Sequence, residues 1–293
     1  MKGLCMSKII LDYSDFYEDN YEFNKNGNKE KMNIISIKEP DSKKQFFRKR
    51  GFCPFCKIQI PDVYTNSYCR TIGVEMWSHI DIWECPECGW WEYYKRFSEE
   101  EDWIDKVEIK RWDTIRHAII KKYDVSDKDL PIKALLKELE KIKDILYDID
   151  PYKLEEVGQH VFSSYYNCEV KHCGKTGDGG IDLLLVKSDE PILVQVKRRQ
   201  SPEHIELVSP IREFVGAMYL KNAKKGIFLS TAKSFSRGAK EIRKQLITER
   251  KFNYFELVNF EEFVSMIDVT KTGIEKPWMG LVNEFEIEKK RNT

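Results

Sequence analysis

The chain has 293 residues, 41% of them apolar and 33% charged, and its 49 basic side chains are balanced by 49 acidic ones. That length can hold two domains with buried cores, and zero net charge excludes a protein that gathers nucleic acid through its overall field, so any polyanion site must be a local patch. No apolar run approaches the roughly 20 residues of a membrane span. The first apolar run is broken by Asp12 and Asp15 and is too short for an export signal, so the expectation is a cytoplasmic protein with no membrane partner.

Residues 1–48 are rich in Lys, Asn, Asp and Glu, with isolated apolar clusters at Ile9–Leu11 and Ile34–Ile35. They read as an irregular or partly strand-forming extension. Residues 49–100 carry Cys53-Pro-Phe-Cys56 and Cys85-Pro-Glu-Cys88-Gly89. Without an export signal, paired C-x-x-C knuckles point to metal ligands rather than disulfides. Redox pairing is the competing reading, but no βαβ pattern surrounds either pair. The two C-P-x-C knuckles resemble a β-rich zinc ribbon, in which each knuckle closes a hairpin tip and four thiolates hold Zn²⁺ tetrahedrally. Cys69 and His79 fall between them, yet Cys53, Cys56, Cys85 and Cys88 form a complete set. A closed four-cysteine site is structural. Trp77, Trp83, Trp90, Trp91, Tyr93 and Tyr94, beside Lys95 and Arg96, are then expected to pack inward, with stacking on DNA bases as the alternative.

The acidic run Glu99–Asp102 reads as a solvated boundary, and residues 101–149 as a helical connector. Trp112, Ile115, Ile119 and Ile120 suggest one helical stripe, and Leu135, Leu136, Leu139, Ile142 and Leu146 another. Asp150-Pro151 looks like an N-cap followed by proline at the first helical position. The helix it opens carries Leu154, Val157, Val161 and Tyr165. Strand-like runs at 169–171, 181–186, 192–196, 227–230 and 254–257 then alternate with helix-like runs near 205–221, 236–248 and 260–267. Over residues 150–270 this order predicts an α+β or α/β domain with a mixed central sheet flanked by helices. Residues 271–293 form a C-terminal tail.

Within that domain, strands 181–186 and 192–197 should pair as an antiparallel hairpin. Asp182 starts the first strand. Gln195 and Lys197 lie two residues apart on the second and so share a face, while Val194 and Val196 point the other way. A lysine and an amide inside a run that otherwise suits burial need polar company. A divalent metal such as Mg²⁺ held by the Asp182 carboxylate and the Gln195 amide oxygen would supply it. Lys197 would then orient a water or offset developing charge. The loop from Gly174 to Gly180 permits close backbone approach to a bulky ligand, and Glu155 or Glu156 on the preceding helix could add an acid. Asp178 in that loop reads best as a turn residue, and His160 and His172 as core or surface histidines.

Gly177-Asp-Gly-Gly-Ile-Asp182-Leu-Leu-Leu followed by Val194-Gln-Val-Lys-Arg198 closely resembles the Mrr-like branch of the PD-(D/E)xK endonucleases, where Gln often replaces the middle acid. The likeness extends over residues 150–268, through Pro151–Val157, Ile211–Ala217, Lys225–Thr231 and Phe235-Ser236. It implies a restriction-endonuclease-like fold and metal-dependent DNA cleavage, often in bacterial defence. By that likeness Asp182, Gln195 and Lys197 are the catalytic trio and Glu155 the fourth member. Leu154 stands where the family usually has Phe. Two cuts on opposite strands would need a homodimer or a transient pair, and a defence partner protein could control cutting. A DNA-binding or partner-docking module without turnover, and an RNA-directed nuclease, remain the competing readings.

Basic residues crowd the stretch after the trio. Arg198, Arg199, Lys233 and Arg237 are the candidates for tracking phosphates, against the plain alternative of a solvated helix face.

Overall fold

A computed structural model describes residues 9–28, 31–36, 50–72, 74–173, 180–186, 190–270 and 276–292. It divides into two compact units, one of Leu11–Lys122 with Glu275–Thr293, the other of Met1–Ile10 with Tyr123–Ile274. The chain therefore enters and leaves the first unit on either side of the second in sequence. Of the fifteen strands among the described residues, β1 (Ile9–Asp12) and β8 (Lys121–Asp124) lie where the chain passes from one unit to the other.

The first unit is built on a six-stranded antiparallel sheet. Its strands are β2 (Phe16–Asn28), β3 (Lys31–Ser36), β4 (Asp62–Ile72), β5 (Val74–Glu84), β6 (Trp91–Asp102) and β7 (Lys106–Ala118), in the spatial order β3-β2-β7-β6-β5-β4. Period-two burial marks β5, where Ser78, Ile80 and Ile82 are buried and their neighbours are not. Ile80, Ile82 and Tyr93 pack with Trp278, Leu281, Val282 and Phe285. The last of these lies on a C-terminal helix (Met279–Asn292) whose Glu288 meets Lys95 at 2.5 Å and whose Glu286 accepts from Asn66 at 2.6 Å.

Three sequence expectations change here. The connector proposed for residues 101–149 is not helical throughout, because Lys106–Ala118 is strand β7, paired with β6 and β2 along its length. Its Val107, Ile109 and Ile115 are β-branched residues in alternation, which suits a pleated surface better than a helix. The run Glu99–Asp102 is the end of β6 leading into a hairpin and marks no boundary. The tail 271–293 carries a helix that buries Phe285 to 1% exposure, a burial worth roughly 1.5–3 kcal/mol.

The second unit is mixed α and β. Its helices are α1 (Ile132–Leu139), α2 (Pro151–Tyr166), α3 (Val208–Leu220), α4 (Arg237–Thr248) and α5 (Phe260–Val269), with a short 3₁₀ turn at Lys143–Tyr147. Five strands, β9 (Glu169–His172), β10 (Leu183–Val186), β11 (Ile192–Lys197), β13 (Lys225–Ser230) and β15 (Tyr254–Val258), form a sheet ordered β15-β13-β11-β10-β9. β9, β10 and β11 pair antiparallel, and β11, β13 and β15 parallel. A small parallel pair, β12 (Ile205–Glu206) and β14 (Ser234–Phe235), sits apart from it.

Helices cover both faces of that sheet. Leu154, Val157, Val161 and Phe162 of α2 pack with Leu183, Leu185, Val194 and Val196. Ile211, Phe214 and Met218 of α3 pack with Leu193, Phe228 and Phe255. Helix α2 starts where Asp150 accepts a hydrogen bond from the Tyr152 N–H at 2.9 Å, with Pro151 as its first residue, and ends at Asn167 in the left-handed conformation. Both signals follow from sequence: the aspartate satisfies an otherwise unpaired donor, and proline has none to lose. No helix among the described residues is long and apolar enough to cross a membrane.

Candidate active site and metal centre

The hairpin of β10 and β11 aligns Leu183 with Val194, so the next step along places Asp182 opposite Gln195. The Asp182 backbone N–H donates to the Val194 carbonyl at 2.9 Å, its carbonyl accepts from Cys173, and its carboxylate Oδ2 accepts from the Val196 N–H at 2.6 Å. Gln195 and Lys197 share the face of Leu193, which belongs to the core beneath α3, while Val194 and Val196 face α2. Gln195 is 6% exposed, and its amide oxygen Oε1 has no hydrogen-bond partner among the described residues. Leaving such an acceptor unpaired costs about 1–3 kcal/mol, and an amide oxygen is a ligand that a hard cation accepts.

Gly180 passes directly over this amide. A Cβ there would come within 3.1 Å of Gln195 Nε2, and the glycine sits at φ +81°, a conformation that side chains resist. Lys197 is half-buried at the end of β11, and its carbonyl accepts from the Thr231 N–H at 3.1 Å. Asp182, Gln195 and Lys197 thus gather toward one end of the paired strands β10 and β11. The rest of the glycine-rich loop, including Asp178, lies outside the described residues.

Glu155 approaches from the other side. Its Oε2 lies 2.9 Å from His172 Nε2, close but not aligned as a hydrogen bond, and the Tyr152 ring meets His172 edge-on at 4.7 Å. His172 shares its strand face with Val170, which packs in the core beneath α2. Glu156 is paired instead with the buried Lys153, at 2.7 Å. The Glu155–His172 pair escaped sequence reasoning because nothing in the spacing from 155 to 172 signals it.

The four basic candidates separate on inspection. Arg198 donates from Nη1 to the Tyr147 carbonyl at 2.9 Å. Arg199 clasps Glu206 with two bonds of 2.8 and 2.6 Å, and Lys233 meets Glu203 at 2.8 Å on the surface. Arg237 is exposed on the first turn of α4, whose cap Ser236 accepts from Ala239. Glu206 is 1% exposed and also accepts from Ser230 Oγ at 2.7 Å. Its burial is concealed in the sequence, because Ile205 and Leu207 on either side are the exposed members of that triplet.

The cysteines of the first unit converge. The sulfurs of Cys53, Cys56, Cys85 and Cys88 all lie within 4.8 Å of one another. Their knuckles repeat the same wiring. Cys53 N–H donates to Ile58 O and Lys57 N–H to Cys53 O; likewise Cys85 N–H donates to Trp90 O and Gly89 N–H to Cys85 O. Lys57 and Gly89 occupy the same left-handed position, at φ 60° and 80°. Hydrogen bonding to Cys88 and then burial push the Cys56 thiol up. For Cys85 burial acts upward, but the Cys88 and Glu87 backbone N–H groups and the Cys53 and Cys88 side chains hold it below the ordinary thiol range. Four thiols packed this way are a soft donor set for a tetrahedral cation. Trp90, Trp91, Tyr93 and Tyr94 are at most 4% exposed and pack inward, whereas Trp77 lies flat on His79 with ring centres 5.3 Å apart.

Residues 146–267 match the Mrr catalytic family, described as restriction endonuclease. No curated protein matches the chain. One solved structure that does is that of restriction endonuclease FokI, at 18% identity and a TM-score of 0.31, covering 49% of this chain and 31% of that one. The chain therefore spans about a third of that structure's length. Residues 146–267 are a restriction-endonuclease-like nuclease domain, joined to a β-rich unit with a four-cysteine cluster.

Proposed function

We propose that the chain is a metal-dependent endodeoxyribonuclease acting in restriction or anti-phage defence, with Asp182, Gln195 and Lys197 as its catalytic groups, Glu155 in support, and Zn²⁺ at the four cysteines. The observation that carries this reading is the buried, unpartnered Oε1 of Gln195, on the face of Lys197 and opposite Asp182. An amide oxygen and a carboxylate fit Mg²⁺, whose preference is for oxygen donors. When bound, that ion polarises a phosphoryl oxygen and lowers the pKa of a coordinated water.

The chain's own groups do the rest. Asp182 and Gln195 would hold the ion, with Asp182 fixed by the Val196 N–H. The Lys197 ammonium would orient the attacking water and offset charge on the phosphoryl oxygens as the ester bond lengthens. Gln195 brings no charge, so affinity for the cation leans on Asp182 and on Glu155. The His172 imidazole, 2.9 Å from the Glu155 carboxylate, competes for that acid. Of the basic candidates, Arg237 is the one suited to a phosphate, since Arg199 is committed to Glu206.

Plasmid DNA incubated with the purified chain should be cut in Mg²⁺ and left intact in EDTA. Lys197→Ala should cut at least about a hundredfold more slowly. Intact plasmid under every metal condition, with or without base modification, would overturn the reading, and faster cutting of RNA than of matched DNA would redirect it. Metal analysis should find one Zn²⁺ per chain, lost in Cys85→Ser.

A further inference from the structure

Two apolar side chains stand out of the surface further than any other large ones among the described residues, Ile104 at 93% and Leu220 at 91% exposure. Their surroundings are opposite in sign. Ile104 and the 61%-exposed Trp103 form the tip of the β6–β7 hairpin, closed where the Trp103 N–H donates to the Lys106 carbonyl at 2.7 Å. Glu99, Glu100, Glu101, Asp102 and Asp105 flank that tip. Glu101 lies directly across from Glu108, and Glu100 across from Glu75. Like charges opposed across strands cost stability, and the Lys110–Glu108 pair at 3.5 Å offsets that cost on one strand only.

Leu220 ends α3 beside the 51%-exposed Tyr219 and is followed by Lys221 and Lys224. Tyr219 meets Phe252 edge-on at 5.3 Å, and Asn253 N–H donates to the Lys224 carbonyl. That brings Arg250 and Lys251 to the same patch. Lys221, Lys224 and Arg250 make no ion pair among the described residues.

We propose that the acidic hairpin tip of one copy docks on the basic, apolar end of α3 of a second copy. The tip offers two apolar side chains ringed by acids, and the α3 end offers two ringed by bases. A two-fold axis would make the contact twice, each copy giving a tip and receiving one. DNA is a poor occupant for the tip, because its phosphates would meet five carboxylates. The proposal does not depend on the nuclease reading.

Sedimentation equilibrium of the full chain without DNA tests it. At roughly 10 μM the mass should be that of two chains, and dissociation should grow with salt, as screened charge pairs require. Ile104→Asp and Leu220→Asp should each weaken association by about tenfold or more. Reversing Lys221 and Lys224 to Glu, or Glu101 and Asp102 to Lys, should do likewise, and combining both reversals should restore much of the loss. Five of the six positions are exposed and Glu101 is half-buried, so an unchanged urea midpoint shows that the variants remain folded. A single-chain mass at about 100 μM overturns the proposal. So does a dimer indifferent to both tip and patch, or a combined reversal no better than either alone. A chain that dimerises as expected yet never cleaves would count against the nuclease reading alone.

Discussion

Glu92 sits on β6 at 2% exposure with its Oε1 unpartnered. Burial pushes its carboxyl up to about 7, against a smaller opposing pull from the Arg50 charge. An ordinary glutamate ionises near 4.3, so between roughly pH 4 and pH 7 the unfolded chain has released this proton while the folded chain still holds it. Stability from this group is therefore complete below that window and lost as pH rises through it. The loss amounts to about 4 kcal/mol, at roughly 1.4 kcal/mol for each pH unit between the two values. Glu92→Gln has no proton to lose. Relative to the unaltered chain it should gain about that much stability between pH 4 and pH 8, read from urea midpoints at both ends. Curves for the two proteins that run parallel across the range would show that Glu92 ionises in the folded state at an ordinary pH. Glu206 presents the opposite case, a buried carboxylate fully engaged by Arg199 and Ser230. Glu206→Ala strands both partners and should cost about 3 kcal/mol, measured in the same way at neutral pH.

At the scale of elements, α2 depends on its first turn. Asp150→Ala removes the acceptor for the Tyr152 N–H and should lower stability by about 1 kcal/mol. Because Glu155 lies barely a turn further on, cleavage should weaken with it, while Asp150→Ser should restore both. This helix was legible in sequence because cap, proline and apolar stripe agree, and the hairpin of β10 and β11 because two short apolar runs flank a short polar connection. Strand β7 was not. In Trp112, Ile115 and Ile119 the spacing of three and four mimics a helical stripe, while the strand's inward faces carry Asp113 and Arg111, which no apolar count detects. Asp113 is buried because Arg111 and Arg96 both neutralise it. Asp182, Gln195 and Lys197 were readable because charge intrudes on an apolar strand at period two. The buried Glu206 was not, since its partners Arg199 and Ser230 are brought to it by the sheet and not by neighbours in the chain.

At the scale of the whole molecule, the two units keep separate cores, and only one of them contains the clustered thiols. Cys53 and Cys85 are buried beside Trp90, Trp91, Ile80, Ile82 and the C-terminal Phe285. The sulfurs are therefore part of that core and not an appendage to it. Burial and the neighbouring Cys88 push the Tyr13 phenol up as well, so the segment just after β1 rests against the same cluster. A cation at these four sulfurs would tie the 53–56 knuckle to the 85–88 knuckle, within the core that also holds Phe285. Structural zinc contributes its binding energy directly to folding. Removing it with a chelator, or replacing Cys53 by Ser, should cost the Leu11–Lys122 unit several kcal/mol and expose Trp90 and Trp91 to water. The unit of Tyr123–Ile274 has no ligand in this cluster and a core of its own. Calorimetry should resolve two transitions, of which the chelator lowers one, and tryptophan fluorescence should report the same one, since no tryptophan falls within residues 123–274. If both transitions fall together, the cysteine cluster stabilises more than the unit that contains it. If neither moves although the metal has left, the sulfurs are an ordinary part of an apolar core and the zinc assignment fails.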